Sequence, residues 1–575
     1  MKTRITFRAL CLLAVFPLAI HEAGAAWQPA KGRLMTRWAA DVKPDKALPE
    51  YPRPQMVRAD WQNLNGLWSC AIVAKEAAQP TNWDGQILAP FPVESALSGV
   101  MKPVDPKQRL WYRRAFQIPA GWQGKNVLLH FGAVDWEATV WVNGKELGTH
   151  RGGYDGFSFD ISDALKASGP QELVVAVWDP TDRGPQARGK QVLKPGGIMY
   201  TATTGIWQTV WLEPVAKAHV DSLRITPNVD DSSVTVALHA VTSGGKPAVR
   251  VEVLDGQQVV QEASQPVKDI MKSFPPQISP TLKLRVPNAK LWSPDAPFLY
   301  GLRITLSENG QPTDQIDSYF GMRKIALGKD EKGIQRLMLN NKPLFQLGPL
   351  DQGFWPDGIY TAPTDEALRY DIEITKALGM NMARKHVKVE PDRWYYWCDK
   401  LGLLVWQDMP SAHAGDAKTD AIRKGMEDAA KQFETELKAL VEGRWNHPCI
   451  VMWVPFNEGW GQYDTPRICD WIKKLDPSRL VNNASGWTDR KVGDVNDIHS
   501  YPGPAAPRLE ENRAAVLGEF GGLGLPVKGH TWQDEANWGY RNFQSAEQLT
   551  ESYLSLISKL HALTGDVGLD RKSVV

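Results

Sequence analysis

Ile450-Val451-Met452-Trp453-Val454-Pro455-Phe456-Asn457-Glu458 and Ala515-Val516-Leu517-Gly518-Glu519-Phe520 each run an apolar stretch into a glutamate. A short run that is apolar on both faces is the pattern of a strand covered on both sides in a parallel sheet. Similar runs recur at Leu344-Phe345-Gln346-Leu347, Met380-Asn381-Met382-Ala383, Leu403-Leu404-Val405-Trp406, Leu480-Val481-Asn482 and Asp497-Ile498-His499. Helical stretches separate many of them, such as the one opening at Pro391 with Trp394, Trp397, Cys398 and Leu401 on one face and Gly402 at its end. Strand and helix in alternation specify a (β/α)8 TIM barrel over residues 326–575. The two glutamates then fall at the ends of the fourth and seventh strands, where a barrel makes side chains both rigid and reachable.

Seven strands are legible in this region, and a barrel needs eight. Ser545-Ala546-Glu547-Gln548 has the form of a capping box, and Leu549, Tyr553, Leu556, Ile557 and Leu560 follow at helical spacing. Beyond that helix no apolar run follows. The tail Asp570-Arg571-Lys572-Ser573-Val574-Val575 resembles the translation of a sequencing-library adapter. The expectation is therefore a TIM barrel lacking its last strand, with residues 570–575 foreign to the fold. Strands one and seven would then carry unpaired edges and the chain would be unstable.

Upstream of the barrel the period changes to two. Asn126-Val127-Leu128-Leu129-His130-Phe131 and Ala138-Thr139-Val140-Trp141-Val142 alternate, and Asn143-Gly144 is a strong hairpin signal. Residues 26–215 thus read as a β-sandwich of jelly-roll type. Residues 216–325 read as a second, immunoglobulin-like β-sandwich, with Val234, Val236 and Leu238, then Val249, Val251 and Val253, alternating ahead of the Asp255-Gly256 turn.

The chain has 575 residues with 66 basic and 65 acidic side chains, a net charge of +1, so it carries no electrostatic footprint for nucleic acid or an anionic membrane. Its partner class is an uncharged or weakly charged small molecule, with homo-oligomerisation left open. Twenty-four tryptophans against 16 phenylalanines favour a carbohydrate, whose C–H faces suit indole rings. Lys2, Arg4 and Arg8 precede an apolar run from Ala9 to Ile20 and the small residues Ala23-Gly24-Ala25-Ala26. That is the form of a secretory signal over residues 1–25, which predicts export to a periplasmic or extracellular location. Cys70, Cys398, Cys449 and Cys469 remain after the leader, without metal-ligand spacing, and read as buried thiols.

Two carboxylates on facing strand ends are the equipment for glycosidic bond cleavage. The surrounding residues resemble glycoside hydrolase family 2, the family of β-galactosidases, β-glucuronidases and β-mannosidases. Arg444-Trp445-Asn446-His447-Pro448 running through to Asn457-Glu458 is similar to its acid/base signature. Asn381-Met382-Ala383-Arg384-Lys385-His386 followed by Cys398-Asp399-Lys400-Leu401-Gly402 is similar to its second signature. Further likeness runs through His150-Arg151-Gly152-Gly153-Tyr154-Asp155-Gly156-Phe157, Leu291-Trp292-Ser293-Pro294 and Phe320-Gly321-Met322-Arg323, and so spans nearly the whole chain after the leader. Val387-Lys388 stands where many members have Tyr-Pro, and Asp408 where many carry glutamate.

The resemblance implies a retaining exo-β-glycosidase that removes terminal β-linked sugars, with Glu519 as nucleophile and Glu458 as acid/base. It implies Asn457 on the sugar 2-hydroxyl, Arg384 and Tyr501 on the nucleophile, and His386 on substrate hydroxyls. Asp351, Trp355, Asp408 and Trp487 are expected around the sugar. No cofactor and no metal ion is called for, since Asp408 replaces one ligand that magnesium-binding members use. β-Galactoside is the default substrate because nothing specifically calls for a carboxylate-binding pocket. The alternatives are a β-glucuronidase and a catalytically dead carbohydrate-binding protein.

Overall fold

A computed structural model describes residues 27–273, 275–411, 420–533, 535, 537–566 and 569–574. The leader expected over residues 1–25 lies outside them. No helix among the described residues is long and apolar enough to cross a membrane.

The first sandwich has the alternating pattern its sequence carries. A six-stranded antiparallel sheet includes Gln108–Phe116, Gln171–Trp178 and Glu137–Val142, and a four-stranded sheet includes Asn126–Phe131 and Val210–Val215. Their inward residues, among them Val127, Leu129, Phe131, Val140 and Val142, make one apolar core. Asn143 and Gly144 have φ of +51° and +81°, the left-handed pair that a tight hairpin between twisted strands requires. The second sandwich follows the same logic. Val234, Val236, Val249, Val251 and Val253 are all fully buried between its two four-stranded sheets.

The barrel strands are β1 (Gln346–Asp351), β2 (Met382–Lys385), β3 (Leu404–Asp408), β4 (Ile450–Val454), β5 (Leu480–Val481), β6 (Val495–Ser500), β7 (Ala514–Phe520) and β8 (Leu569–Val574). Helices α1 (Asp365–Ala377), α2 (Asp392–Leu401), α3 (Asp420–Gly443), α4 (Thr465–Leu475) and α5 (Ala546–Asp566) follow β1, β2, β3, β4 and β7. Every residue of β3, β4 and β7 is buried, which explains their lack of alternation. The ladder runs from β5 back to β1, then through β8 and β7 to β6. Between β5 and β6 a single Asn482–Gly493 bridge replaces a ladder.

The expectation of a barrel without its last strand is corrected. Leu569–Val574 pairs in parallel with β1, Gln346 opposite Arg571, and with β7, Ala515 opposite Leu569. The edges of β1 and β7 present unpaired N–H and C=O groups, and any extended backbone satisfies them whatever its side chains. Asp570-Arg571-Lys572 therefore gave no apolar signal. The register against β7 is irregular, with shifts at Ala515/Val516 and Leu517/Phe520.

Candidate active site

Residues at alternate positions of a strand share a face, and β6 puts Asp497 and His499 toward the barrel interior with Tyr501 just beyond its end. β7 brings Glu519 beside them and β4 leads into Asn457 and Glu458. Glu458 has φ +51°, a left-handed conformation that costs a non-glycine residue about 1–3 kcal/mol and concentrates at functional sites. One carboxylate oxygen of Glu458, one of Glu519 and a ring nitrogen of His499 lie within 4.8 Å of one another.

Glu519 is 5% exposed and surrounded by donors. The Arg384 guanidinium donates to its Oε1 at 2.9 Å, the Tyr501 hydroxyl donates to Oε2, and His499 Nδ1 lies 3.5 Å from Oε2. Burial alone would raise its pKa. The charges of His499, Arg384 and His386 and the tyrosine hydrogen bond outweigh burial and hold the carboxyl well below the usual carboxylate range. Glu519 is thus ionised. Burial together with the Glu519 charge drives the Tyr501 phenol far above its ordinary value, so Tyr501 remains a donor.

Arg384, fully buried, ties the centre together. Its Nε and one terminal nitrogen donate to Asp408 at 3.0 and 2.9 Å, the same terminal nitrogen donates to Asn457 Oδ1 at 2.7 Å, and the other holds Glu519. Bidentate pairing of this kind fixes the guanidinium in direction as well as place.

His499 Nδ1 is 2.6 Å from Glu458 Oε1, and its Nε2 is 2.8 Å from Ser485 Oγ. Ser485 donates its one hydroxyl hydrogen to Asp497 at 2.6 Å. Nε2 must therefore carry a hydrogen and donate it to Ser485. In a neutral ring Nδ1 is then the acceptor, so the hydrogen between His499 and Glu458 belongs to the carboxyl. In a charged ring that same hydrogen has moved to Nδ1. Burial lowers the His499 pKa, but the Glu519 charge and the hydrogen bond to Glu458 outweigh it and raise the net value.

Arg384, Asn457, Glu458, Tyr501 and Glu519 come together as the sequence implies. Trp487 stands at the mouth, 62% exposed, its ring edge-on to His499 with centroids 5.5 Å apart. Three further expected residues have protein partners. Asp408 accepts from Arg384, His386 Nδ1 and the Val387 amide and is 1% exposed, so it orients Arg384 and His386. Asp351 pairs with Lys385 at 2.8 Å, because Lys385 projects from the opposite face of β2 to Arg384. Trp355 packs edge-on against Trp38, centroids 6.1 Å apart, and forms part of the core that joins the N-terminal segment to the barrel. His386 is 2% exposed and bonds Asp408 at 3.0 Å, with Glu519 at 3.9 Å.

His499 was missed by the sequence reading, although its position two residues before Tyr501 on a strand would have found it. Tyr540, stacked on Tyr501 with centroids 4.0 Å apart, had no comparable signal.

Glu458, His499 and Glu519 are also the grouping among the described residues whose donor atoms could hold a metal ion. Glu519 already receives Arg384 and Tyr501, and Glu458 shares a proton with His499. Protein donors meet the charge of this cluster, and its donor set fits proton transfer.

Residues 61–199 match the sugar binding domain of glycosyl hydrolases family 2, residues 218–323 match the family model named simply glycosyl hydrolases family 2, and residues 335–516 match the family's TIM barrel domain. A β-galactosidase of Thermoanaerobacter pseudethanolicus is 28% identical over 438 residues, covering 73% of this chain and 55% of that protein. A putative β-glucuronidase of Formosa agariphila is 28% identical over 407 residues, covering 67% and 46%. The chain thus spans about half the length of these curated relatives. A crystal structure of a β-galacturonidase from Eisenbergiella tayi bound to glycerol superimposes with a TM-score of 0.71 at 20% identity, covering 91% of this chain and 90% of that one. With all three of its domains matched in order by one family, from residue 61 to residue 516, the chain belongs to glycosyl hydrolases family 2.

Proposed function

We propose that the chain is a retaining exo-β-glycosidase in which Glu519 is the nucleophile and Glu458 the acid/base. The observation that carries this reading is the spacing of the two carboxylates, with oxygens within 4.8 Å across the barrel mouth. Retaining enzymes hold the pair about 5–5.5 Å apart, whereas inverting enzymes leave about 6.5–9.5 Å for a water molecule.

Ionised Glu519 attacks the anomeric carbon as the bond to the leaving oxygen breaks, and the proton shared by Glu458 and His499 passes to that oxygen. A glycosyl ester on Glu519 results. Glu458 then takes a proton from water, the water oxygen bonds the anomeric carbon, and the ester bond breaks to return the Glu519 carboxylate. Arg384 holds one oxygen of the Glu519 carboxylate and Tyr501 the other, which aligns the group for attack and meets its charge again when the ester bond breaks. Asn457 commits its side-chain oxygen to Arg384, so its N–H₂ is what it offers a sugar hydroxyl.

Turnover of nitrophenyl β-glycosides, with NMR of the first-formed sugar, tests this reading. The expected product keeps the β configuration, and Glu519→Gln lowers kcat by at least about 10³-fold. An inverted product, or hydrolysis undiminished by Glu519→Gln, would overturn it. Absence of turnover on every glycoside would favour a carbohydrate-binding protein without catalysis. The relatives divide between β-galactosidase and β-glucuronidase, and β-galactoside and β-glucuronide are the first two substrates of the panel. Export rests on the leader-like residues 1–25, and an N-terminus of the secreted protein beginning near Ala26 is the matching observation.

A further inference from the structure

The first sandwich delivers a cation to the barrel mouth. Lys190 lies between the strands Gln171–Trp178 and Val210–Val215, in a segment pinned on both sides. Gly189 has φ +56°, and a Cβ there would come 2.2 Å from the carbonyl oxygen of Val387, the residue after His386. The backbone therefore rests directly on the end of β2. On the other side, the Gln191 side chain donates to Asp135 and Tyr154 and accepts from the Thr203 amide. Arg188 donates to the Gln191 carbonyl and Tyr200 N–H to that of Lys190. This loop is held in place by both domains.

The Lys190 side chain is a cation that feels the charges of the catalytic carboxylates without pairing to any of them. The residue is 5% exposed, and none of the ion pairs formed among the described residues uses it. Its Nζ lies 5.9 Å from the centre of the Trp460 ring, which in turn neighbours the His386 ring, centroids 6.3 Å apart. Burial lowers the Lys190 pKa, against the raising charges of Glu519, Glu458 and Asp408. In turn its charge helps to depress the His386 pKa, after burial. The nearby carboxylates are committed: Glu519 to Arg384 and Tyr501, Asp408 to Arg384 and His386, and Glu458 to His499. An ammonium in so enclosed a position, with no anion hydrogen-bonded to it, favours a ligand that brings one. A neutral hydroxyl would accept one of its hydrogens, whereas an anionic group would also meet its charge at hydrogen-bonding distance.

We infer that Lys190 is a substrate-binding residue of the sugar site, and that it selects a glycoside carrying an anionic group, a carboxylate or a sulfate ester on the sugar, over the neutral hexoside. This rests on the exo-glycosidase reading and narrows its substrate class. Sequence inspection found no carboxylate-binding feature because the group comes from a different domain, more than one hundred residues before the barrel begins.

The test compares wild type, Lys190→Met and Lys190→Arg on nitrophenyl β-galactoside, β-glucuronide, β-galacturonide and 6-sulfo-β-galactoside. The readout is the ratio of kcat/KM on each anionic substrate to that on the neutral one. The wild-type ratio should exceed one for at least one anion, and the carboxylate and sulfate arms identify which. Lys190→Met should lower that ratio by about 10–100-fold, mainly through KM, as expected for loss of a charged hydrogen bond, with partial recovery in Lys190→Arg. A merely structural lysine would lower both rates and leave the ratio unmoved, and that result, or a wild-type preference for the neutral sugar, overturns the inference. Should wild type hydrolyse none of the four, the glycosidase reading fails on its own account. Calorimetry with glucuronate, galacturonate, galactose 6-sulfate and galactose then decides Lys190. Anion-selective binding lost in Lys190→Met sustains it, and binding without preference for the anions refutes it.

Discussion

At the scale of single residues, the centre is governed by where two protons can go. The Tyr501 phenol and the Arg384 guanidinium meet the charge of Glu519, so each should matter in proportion to a charged hydrogen bond, about 1.5–3 kcal/mol. Tyr501→Phe is accordingly expected to lower kcat about 10–100-fold with little change in the melting curve. The second proton is shared by Glu458 and His499, with Ser485 and Asp497 setting which ring nitrogen is free to exchange it. A histidine whose pKa is raised keeps its proton to higher pH and releases it as pH climbs through the raised value. In the proposed mechanism the proton needed by the leaving group is thereby retained above the ordinary histidine range. His499→Gln should pull the basic limb of the kcat/KM profile to lower pH by about one unit or more. An unmoved basic limb would show that Glu458 holds its proton without the ring.

At the scale of elements, the centre depends on how closely β6 and β7 approach. Gly518 precedes Glu519, and a Cβ on it would fall 2.3 Å from Asp497 Oδ1 and 2.6 Å from Ser485 Oγ. The missing side chain is the space in which the Asp497–Ser485–His499 chain sits. Gly518→Ala should cost about 1–3 kcal/mol of stability by overpacking. It should also move the basic pH limb in the same direction as His499→Gln, a readout that general loosening would not produce. Helix α5 holds β7 from outside, with Leu556 and Leu560 packed on Leu517 and Phe520. The capping box and the helical spacing of those leucines were legible in the sequence, and Ser545 Oγ does accept from the Gln548 amide. The helix after Pro391 likewise runs Asp392–Leu401 and ends at Gly402 in the left-handed conformation. The strand after α5 was not legible, because a strand recruited by two open edges needs only backbone.

At the scale of the whole molecule, the sandwiches act as braces for the barrel. Arg323, at the end of the second sandwich, is 5% exposed and donates to the carbonyls of Pro448, Ile450 and Ser478, where β4 begins and β5 approaches. Burial, with the neighbouring Arg479 charge, lowers its pKa to about 9. Trp292 and Tyr319 of the same domain bond Asp399 on α2. Removing Arg323 leaves buried carbonyls short of donors, so Arg323→Ala should destabilise the chain by about 2–5 kcal/mol, measured as a lower urea midpoint. A chain ending at Asp566 would expose the edges of β1 and β7, and it is expected to aggregate where the longer chain stays monodisperse in light scattering.

The sequence alone determined the two sandwiches, the alternation of strand and helix in the barrel, and the arrival of Glu458 and Glu519 at strand ends. These are properties of local period: side chains repeat every two residues on a half-buried strand and run apolar on a fully buried one. It also located Arg384, Asn457 and Tyr501, which lie on or beside those strands. Tertiary structure alone decided the partners. Asp351 went to Lys385 and Asp408 to Arg384 because neighbouring strand ends compete for each charge, and His499 gained its role from Ser485, across the β5–β6 seam, which Asp497 on its own strand orients. Lys190 reached the site because one domain packs on another. Periodicity records which face of an element is buried, whereas the side chain that will lie opposite depends on contacts between segments hundreds of residues apart.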